Sequence, residues 1–285
     1  MSRIRVGWKL TGRAWSLLRA HPTLFRFPAY GAVTALPMGL LAAAGVYLID
    51  TERYAPGIAA LLVGAFLSSF LISFFSVALV ACADEVLHER PAESSKGFAV
   101  ARSRLGTIAG WALIAAFVGL LLELLESLGK VGEIVRLLTG AAWSLLTFLV
   151  IPVLAIEDVG PVEAIKRSGK ILRSRWVEQL TGIPTIGLVV FLLILLPAAI
   201  LVGAGVVLWI SDDNGASVAA GGVMVAVGIV VLVAGGLIQS ALRSVFGIVL
   251  YRFAADDEAL GGFTAEDLES AVRTKAPKAT AAAAI

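Results

Sequence analysis

The sequence predicts an all-α protein that crosses a membrane six times, and three observations predict it. Hydrophobic residues make up 59% of the 285-residue chain and charged residues only 15%, against about a quarter charged in an ordinary soluble domain. Six apolar runs are each long enough to cross a hydrocarbon core of about 30 Å as a helix. No ten-residue block alternates apolar with polar residues, the pattern that a membrane β-barrel requires.

The runs fall at 27–49, 58–83, 105–125, 137–156, 181–210 and 218–251. Six basic residues precede the first, and no cleavable signal peptide is apparent, so that run is read as an uncleaved signal anchor. Gly31, Ala35, Gly39 and Ala43 recur every four residues in the first run, and Gly221, Gly228 and Gly235 every seven in the last. Such stripes let helix backbones approach where no hydrophobic effect drives association. Pro28, Pro37, Pro152, Pro184 and Pro197 lie in or at the ends of spans and predict kinks, with neighbours satisfying the freed carbonyls. Of the 23 lysines and arginines, twenty lie in alternate segments: the N-terminal stretch, the second and fourth linkers, and the end of the last run with its tail. The positive-inside rule makes that side cytoplasmic and places both termini there.

The three basic segments ahead of spans share a layout. In Pro161–Trp176 the apolar positions Val162, Ile165, Gly169, Leu172 and Trp176 fall at helical spacing, with Lys166, Lys170 and Arg173 on the other side. Ile4, Trp8, Thr11, Trp15 and Leu18 repeat that spacing near the N-terminus, and Ser94, Phe98, Ala101 and Leu105 do so more weakly. Aligned without gaps, LLRAHP, VARSRL and ILRSRW bring Arg19, Arg102 and Arg173 into register. The paired spans also end alike, at Asp84, Asp158 and Asp256, with Ser73, Thr147 and Ser244 about three turns earlier. The expectation is a membrane domain over 1–256, built as three hairpins of spans. Each hairpin follows an amphipathic interfacial helix, giving pseudo-repeats near 1–84, 85–158 and 159–256. Basic amphipathic helices with tryptophan on the apolar face suit the headgroup layer, so Trp8, Trp15 and Trp176 are candidate interfacial anchors. A solvated helix packed on neighbouring loops is the rival reading.

Arg243 stands thirteen residues before Asp256, about 20 Å along a helix. Either it is an intramembrane cation facing a carboxylate or a polar cavity, with Ser240 and Ser244 on its side, or the last helix simply runs on into the cytoplasm; both readings stay open. Glu123, Glu126, Lys130 and Glu133 are read as the wet face of projecting helix ends, with Glu126 and Lys130 as an i,i+4 pair, and a polar pore lining is the rival reading. The tail, 257–285, carries a capping box at Thr264 and Asp267 ahead of a short helix from 265 to about 273.

In EDVGPVEAIKRSGKILRSRW the chain resembles a family of prokaryotic six-helix membrane proteins classed only as a domain of unknown function. The resemblance rests on Asp158, Gly160, Pro161, Ala164, Ser168 and Trp176. More distantly it is similar to the membrane domain ahead of some bacterial glycerophosphodiester phosphodiesterases. The resemblance implies a six-span fold with interfacial helices in a prokaryotic inner membrane and no assigned activity. The phosphodiesterase barrel is absent, so its activity is not implied.

Nothing in the sequence announces a reaction. HExxH, GxSxG, GxxxxGK[ST] and GxGxxG are missing. A lone cysteine, Cys82, allows no internal disulfide or thiolate zinc site and reads as a small buried hydrophobe. His21 and His88 lie in polar segments without an evident partner. The acidic pairs Asp84/Glu85, Glu157/Asp158 and Asp256/Asp257 sit at helix ends, where carboxylates are solvated or pair with arginine. The expectation is a non-enzymatic membrane protein with no cofactor, metal or nucleic-acid partner, in a scaffolding, lipid-organising or accessory role. Arg19, Arg102, Lys166, Lys170, Arg173 and Arg243 are its candidates for binding anionic headgroups. Beyond lipid, a second copy or another membrane protein is the partner class left open. The alternative is a transporter or channel for a small solute, ion or lipid.

Overall fold

The computed structural model describes residues 3–176, 190–211 and 215–263, except for the side chains at 3–10, 174–176 and 211. The side chains of Trp8 and Trp176, the residue Pro184 and the tail helix from 265 lie outside the described residues. The described elements are all helical: α1 (Arg3–Ala20), a 3-10 turn (Pro22–Phe25), α2 (Arg26–Asp50), α3 (Tyr54–Leu87), α4 (Ser94–Ser103), α5 (Leu105–Glu126), α6 (Lys130–Leu146), α7 (Val150–Ile156), α8 (Pro161–Trp176), a π turn (Phe191–Leu195), α9 (Leu196–Ser211) and α10 (Gly215–Asp256). Six helical stretches are long and apolar enough to cross a membrane: Pro22–Asp50, Tyr54–Leu87, Leu105–Glu126, Lys130–Ile156, Phe191–Ile210 and Gly215–Asp256.

Two prolines account for the irregular spans. Pro152 has no N–H to give the Phe148 carbonyl, and its ring crowds that carbonyl; the fourth span accordingly breaks between α6 and α7. Pro197 stands just past the π turn, where the missing N–H likewise releases a carbonyl of the preceding turn.

Glycine sets the closest helix pairs. A Cβ on Gly64 would strike the backbone of Met38 and Ala42, and one on Gly45 would strike Leu61. Close approach of α2 and α3 therefore depends on Gly45, Gly57 and Gly64. The predicted stripe is only half right: Gly31 and Ala35 are buried, but Gly39 and Ala43 are exposed. On α10 the prediction holds. Gly221, Gly228 and Gly235 are all buried, against Trp209, Val202 and Ile194 of the preceding segment.

Helix length explains where the core sits. At 1.5 Å per residue, α3 and α10, with 34 and 42 residues, run about 51 and 63 Å, whereas one crossing uses about 20 residues. The surplus is at their C-terminal ends, and those ends are buried. Val77–Val80 and Cys82–Ala83 of α3, Val150, Val153 and Leu154 of α7, and Ala241, Leu242, Val245, Phe246 and Ile248–Leu250 of α10 form one cluster with Ala14 and Leu18 of α1, Ala101 of α4 and Ala164 and Leu172 of α8. Phe263, beyond α10, joins the same cluster. We refer to this as the basic end of the bundle. The other halves of α3 and α10 carry exposed Ile58 and Val230, and α2 and α5 carry exposed Val33, Leu40 and Leu113, an apolar surface suited to lipid.

Candidate functional site

Three polar assemblies hold the basic end together. The first joins residues 168 positions apart. The Asp84 carboxylate accepts two bonds from Arg252, 2.8 Å from Nε to Oδ1 and 2.7 Å from Nη2 to Oδ2, while Arg252 Nη1 also donates to Asp256 at 2.9 Å. The Asp84 side chain is 10% exposed. A planar guanidinium presents two parallel donors to a carboxylate, so this pairing fixes orientation as well as charge. His88 is not solitary: its Nδ1 lies 2.7 Å from the Asp84 carbonyl oxygen and its Nε2 3.7 Å from a Glu258 carboxylate oxygen.

The second assembly closes the end of α7. Glu157 Oε1 accepts the Tyr251 hydroxyl at 2.7 Å and Arg167 Nε at 3.1 Å. The hydrogen bond and then the charge of Glu157 hold the Arg167 guanidinium above its ordinary, already alkaline range. Arg104 donates to the carbonyls of Leu154, Ile156 and Glu157, satisfying acceptors left open at a helix C-terminus and placing a cation at its negative pole. The expected carboxylate here, Asp158, is exposed instead.

The third assembly repairs the proline break. Ser168 of α8, fully buried, donates to Leu146 O at 2.6 Å and accepts the Leu149 N–H at 3.2 Å. The neighbour that satisfies this broken span is thus the amphipathic helix. The same contact explains the quoted motif: Pro161 sits against Gly110, and Ala164 and Ser168 are both fully buried.

The basic helix α8 buries a different face from the one predicted, whereas Leu18 and Ala101, on the predicted faces of α1 and α4, are buried. On α8 the core side is Ala164, Ser168, Ile171 and Leu172, while Val162 is 55% exposed. The buried face is turned about a quarter of the circumference from the predicted apolar stripe. The helix therefore has three sides: one against the bundle, an apolar edge with Val162 and half-buried Ile165, and a cationic side with exposed Lys166, Lys170 and Arg173. Ahead of each aligned arginine, the residues five and one positions earlier are buried in all three helices. They are Ala14 and Leu18 before Arg19, Gly97 and Ala101 before Arg102, and Ser168 and Leu172 before Arg173. Arg19, Arg102 and Arg173 are all exposed and, with Lys166 and Lys170, have no hydrogen bond or ion pair among the described residues. Trp15 packs edge-on against Phe25 at 6.0 Å, partly buried on the core.

Arg243 is exposed. Its Nη2 is 3.5 Å from Ser144 Oγ of α6, and its guanidinium lies 5.7 Å from the Phe148 ring centroid. Its serine partner is Ser144, not Ser240 or Ser244, and no carboxylate pairs with it among the described residues. Phe148 lies between Leu146 and Leu149, which Ser168 contacts, so Arg243 is level with α8 along the bundle. The predicted Glu126–Lys130 pair is absent: the helix stops at Glu126, Lys130 begins the next one, and Glu126 binds Arg136 at 3.1 Å. Cys82 is fully buried, as expected. Arg104, Arg252, Tyr251 and Ser168 were not legible as partners, because each acts on a residue distant in sequence.

Surplus helix ends gathered into one core, with basic helices packed on it, define the class: an all-helical protein with six helices, among the described residues, long and apolar enough to cross a membrane. The chain belongs to a family of unknown function, DUF6159, whose family model matches residues 56–262. None of the curated proteins compared matches it.

Proposed function

We propose that this chain is a non-enzymatic, multi-pass protein of a prokaryotic cell membrane that organises anionic lipid, or scaffolds a partner, at the inner leaflet. The observation that carries the reading is the shared architecture of α1, α4 and α8. Each buries one face in a common core and leaves an arginine exposed at the same register, without an ion pair among the described residues. A rigidly held ring of cations attracts anionic headgroups, at about 1 kcal/mol for each Lys or Arg near the surface. The asymmetry of twenty lysines and arginines against three supports a cytoplasmic position for this end and both termini.

In this reading the spans form three hairpins, each introduced by its own interfacial helix, and the matched burial pattern supports the threefold repeat. Arg243, level with α8, sits at the headgroup layer, and α10 runs on past it. The engagement of Asp84 by Arg252 and of Glu157 by Tyr251 and Arg167 supports a structural use of these acids over acid–base chemistry. In this reading the chain is also a distant counterpart of the membrane domain of glycerophosphodiester phosphodiesterases, a membrane module without the barrel's chemistry.

The test is lipid enrichment around the full chain in nanodiscs of mixed phosphatidylglycerol and phosphatidylethanolamine. Replacing Arg19, Arg102, Lys166, Lys170 and Arg173 by glutamine abolishes the enrichment of phosphatidylglycerol. Enrichment equal to that of the unaltered chain refutes the proposal. Solute or ion flux in liposomes, abolished by Arg243→Gln, would establish the transporter alternative.

A further inference from the structure

A cleft of about 300 Å³ lies between α2, α3 and α10, on three of the six candidate spans. Its walls are almost entirely apolar, with Gly31 and Ala35 on α2, Phe75 and Leu79 on α3, and Gly236 and Ser240 on α10. Ile72 and Val233 at its rim are 53% and 50% exposed, so the cleft is open at the bundle surface. An exposed arginine flanks the basic-end side of this cleft: Arg243 stands three residues after Ser240 and seven after Gly236, near the same face of α10. It has no carboxylate partner among the described residues. The Ser240 hydroxyl also has no protein partner among them.

We propose that this cleft holds an acyl chain of one inner-leaflet phospholipid, whose phosphate is met by Arg243. The inference rests on the proposed membrane placement and deepens it from a ring of surface charge to a single seated lipid. Hydrocarbon gains nothing hydrophobic on leaving other lipid tails for an apolar cleft. Residence therefore depends on fit against small side chains and on the charge at the mouth. Phosphate oxygens meet guanidinium donors in strong, charge-assisted hydrogen bonds. Arg243, with no carboxylate to neutralise it among the described residues, supplies the charge complement that a phosphodiester needs and that a neutral lipid lacks.

Gly236 makes the cleft testable, because a Cβ there meets nothing within 4 Å. Gly236→Phe fills the space without striking the backbone. Gly119→Phe is the control, exposed on α5 and equally unobstructed. The full chain is released from phosphatidylglycerol and phosphatidylethanolamine nanodiscs, and its retained lipid is read by native mass spectrometry. The expected result is one retained phospholipid per chain for the unaltered protein and Gly119→Phe, with at least a tenfold loss in Gly236→Phe. Arg243→Gln loses the preference for phosphatidylglycerol among the lipids it retains. Equal retention in Gly236→Phe, or none in the unaltered protein, overturns the proposal. If Gly236→Phe does not fold, Ala32→Leu, on the opposite wall, gives the same reading. Bulk phosphatidylglycerol enrichment is measured on the same samples. Its survival in Gly236→Phe separates failure of the cleft from failure of the cationic ring.

Discussion

Removing the Arg252 guanidinium strands a carboxylate. Asp84 is only 10% exposed, and two of its bonds, at 2.7 and 2.8 Å, come from Arg252. Breaking a buried pair by deleting one partner costs about 3–5 kcal/mol. The lower end applies here, because Arg252 is itself 19% exposed and His88 Nδ1 lies 3.7 Å from Asp84 Oδ1. A loss of about 3 kcal/mol lowers the folding equilibrium constant by roughly two orders of magnitude. The assay is reversible unfolding in mixed micelles for Arg252→Ala, Asp84→Ala and the double variant. Once Arg252 is gone, deleting Asp84 removes a stranded charge, so the double variant loses less than the summed single losses. The expected coupling is about 2 kcal/mol, within the range for residues in one network. Additive losses, with coupling below about 0.5 kcal/mol, would show that the pair does not tie α3 to α10.

Gly64→Ala should cost about 1–3 kcal/mol, because its methyl meets the backbone of Met38 and Ala42. Gly119→Ala, with open space around it, should be neutral or gain up to about 1 kcal/mol from helix propensity; the two are compared by the same unfolding measurement. Ser168→Ala leaves the Leu149 N–H without its partner; it should cost about 1–3 kcal/mol and speed hydrogen exchange at that amide. The Arg167–Glu157 bond has a definite pH sign. A cation raised in the folded state contributes stability below its unfolded value and loses it only as pH rises through the folded value, so Arg167 keeps its contribution through pH 10. Arg167→Lys, whose ordinary value is about 10.4, should lose its contribution between about pH 10 and 11; the Tm difference between the two proteins should widen there, by an amount under about 1 kcal/mol for so exposed a pair.

The spans were legible because each is a local property: twenty apolar residues announce themselves without reference to the rest of the chain. The stripe at Gly221, Gly228 and Gly235 was legible for the same reason. Gly45, Gly57 and Gly64 were not, because their role depends on how two helices cross. The polar assemblies fall entirely on the illegible side. Arg252 and Asp84 are 168 residues apart, and Arg104 and the Ile156 carbonyl 52. In sequence each is one charge among many at a helix end. Ser168 illustrates the limit well, since its hydroxyl is defined by a break that Pro152 makes in another helix. On α8 the apolar periodicity correctly indicated a helix. The buried face nevertheless shifted, because alanine and serine pack against a neighbouring helix more closely than valine does.

The Asp84–Arg252 bond also has a meaning in time. Synthesis delivers the carboxylate 168 residues ahead of its arginine. Until the last span arrives, α3 ends in an acid with no guanidinium to receive it, and the basic end stays unsealed. A chain arrested after five spans lacks both Arg252 and Tyr251, so Asp84 and Glu157 alike wait for partners that only the last helix brings.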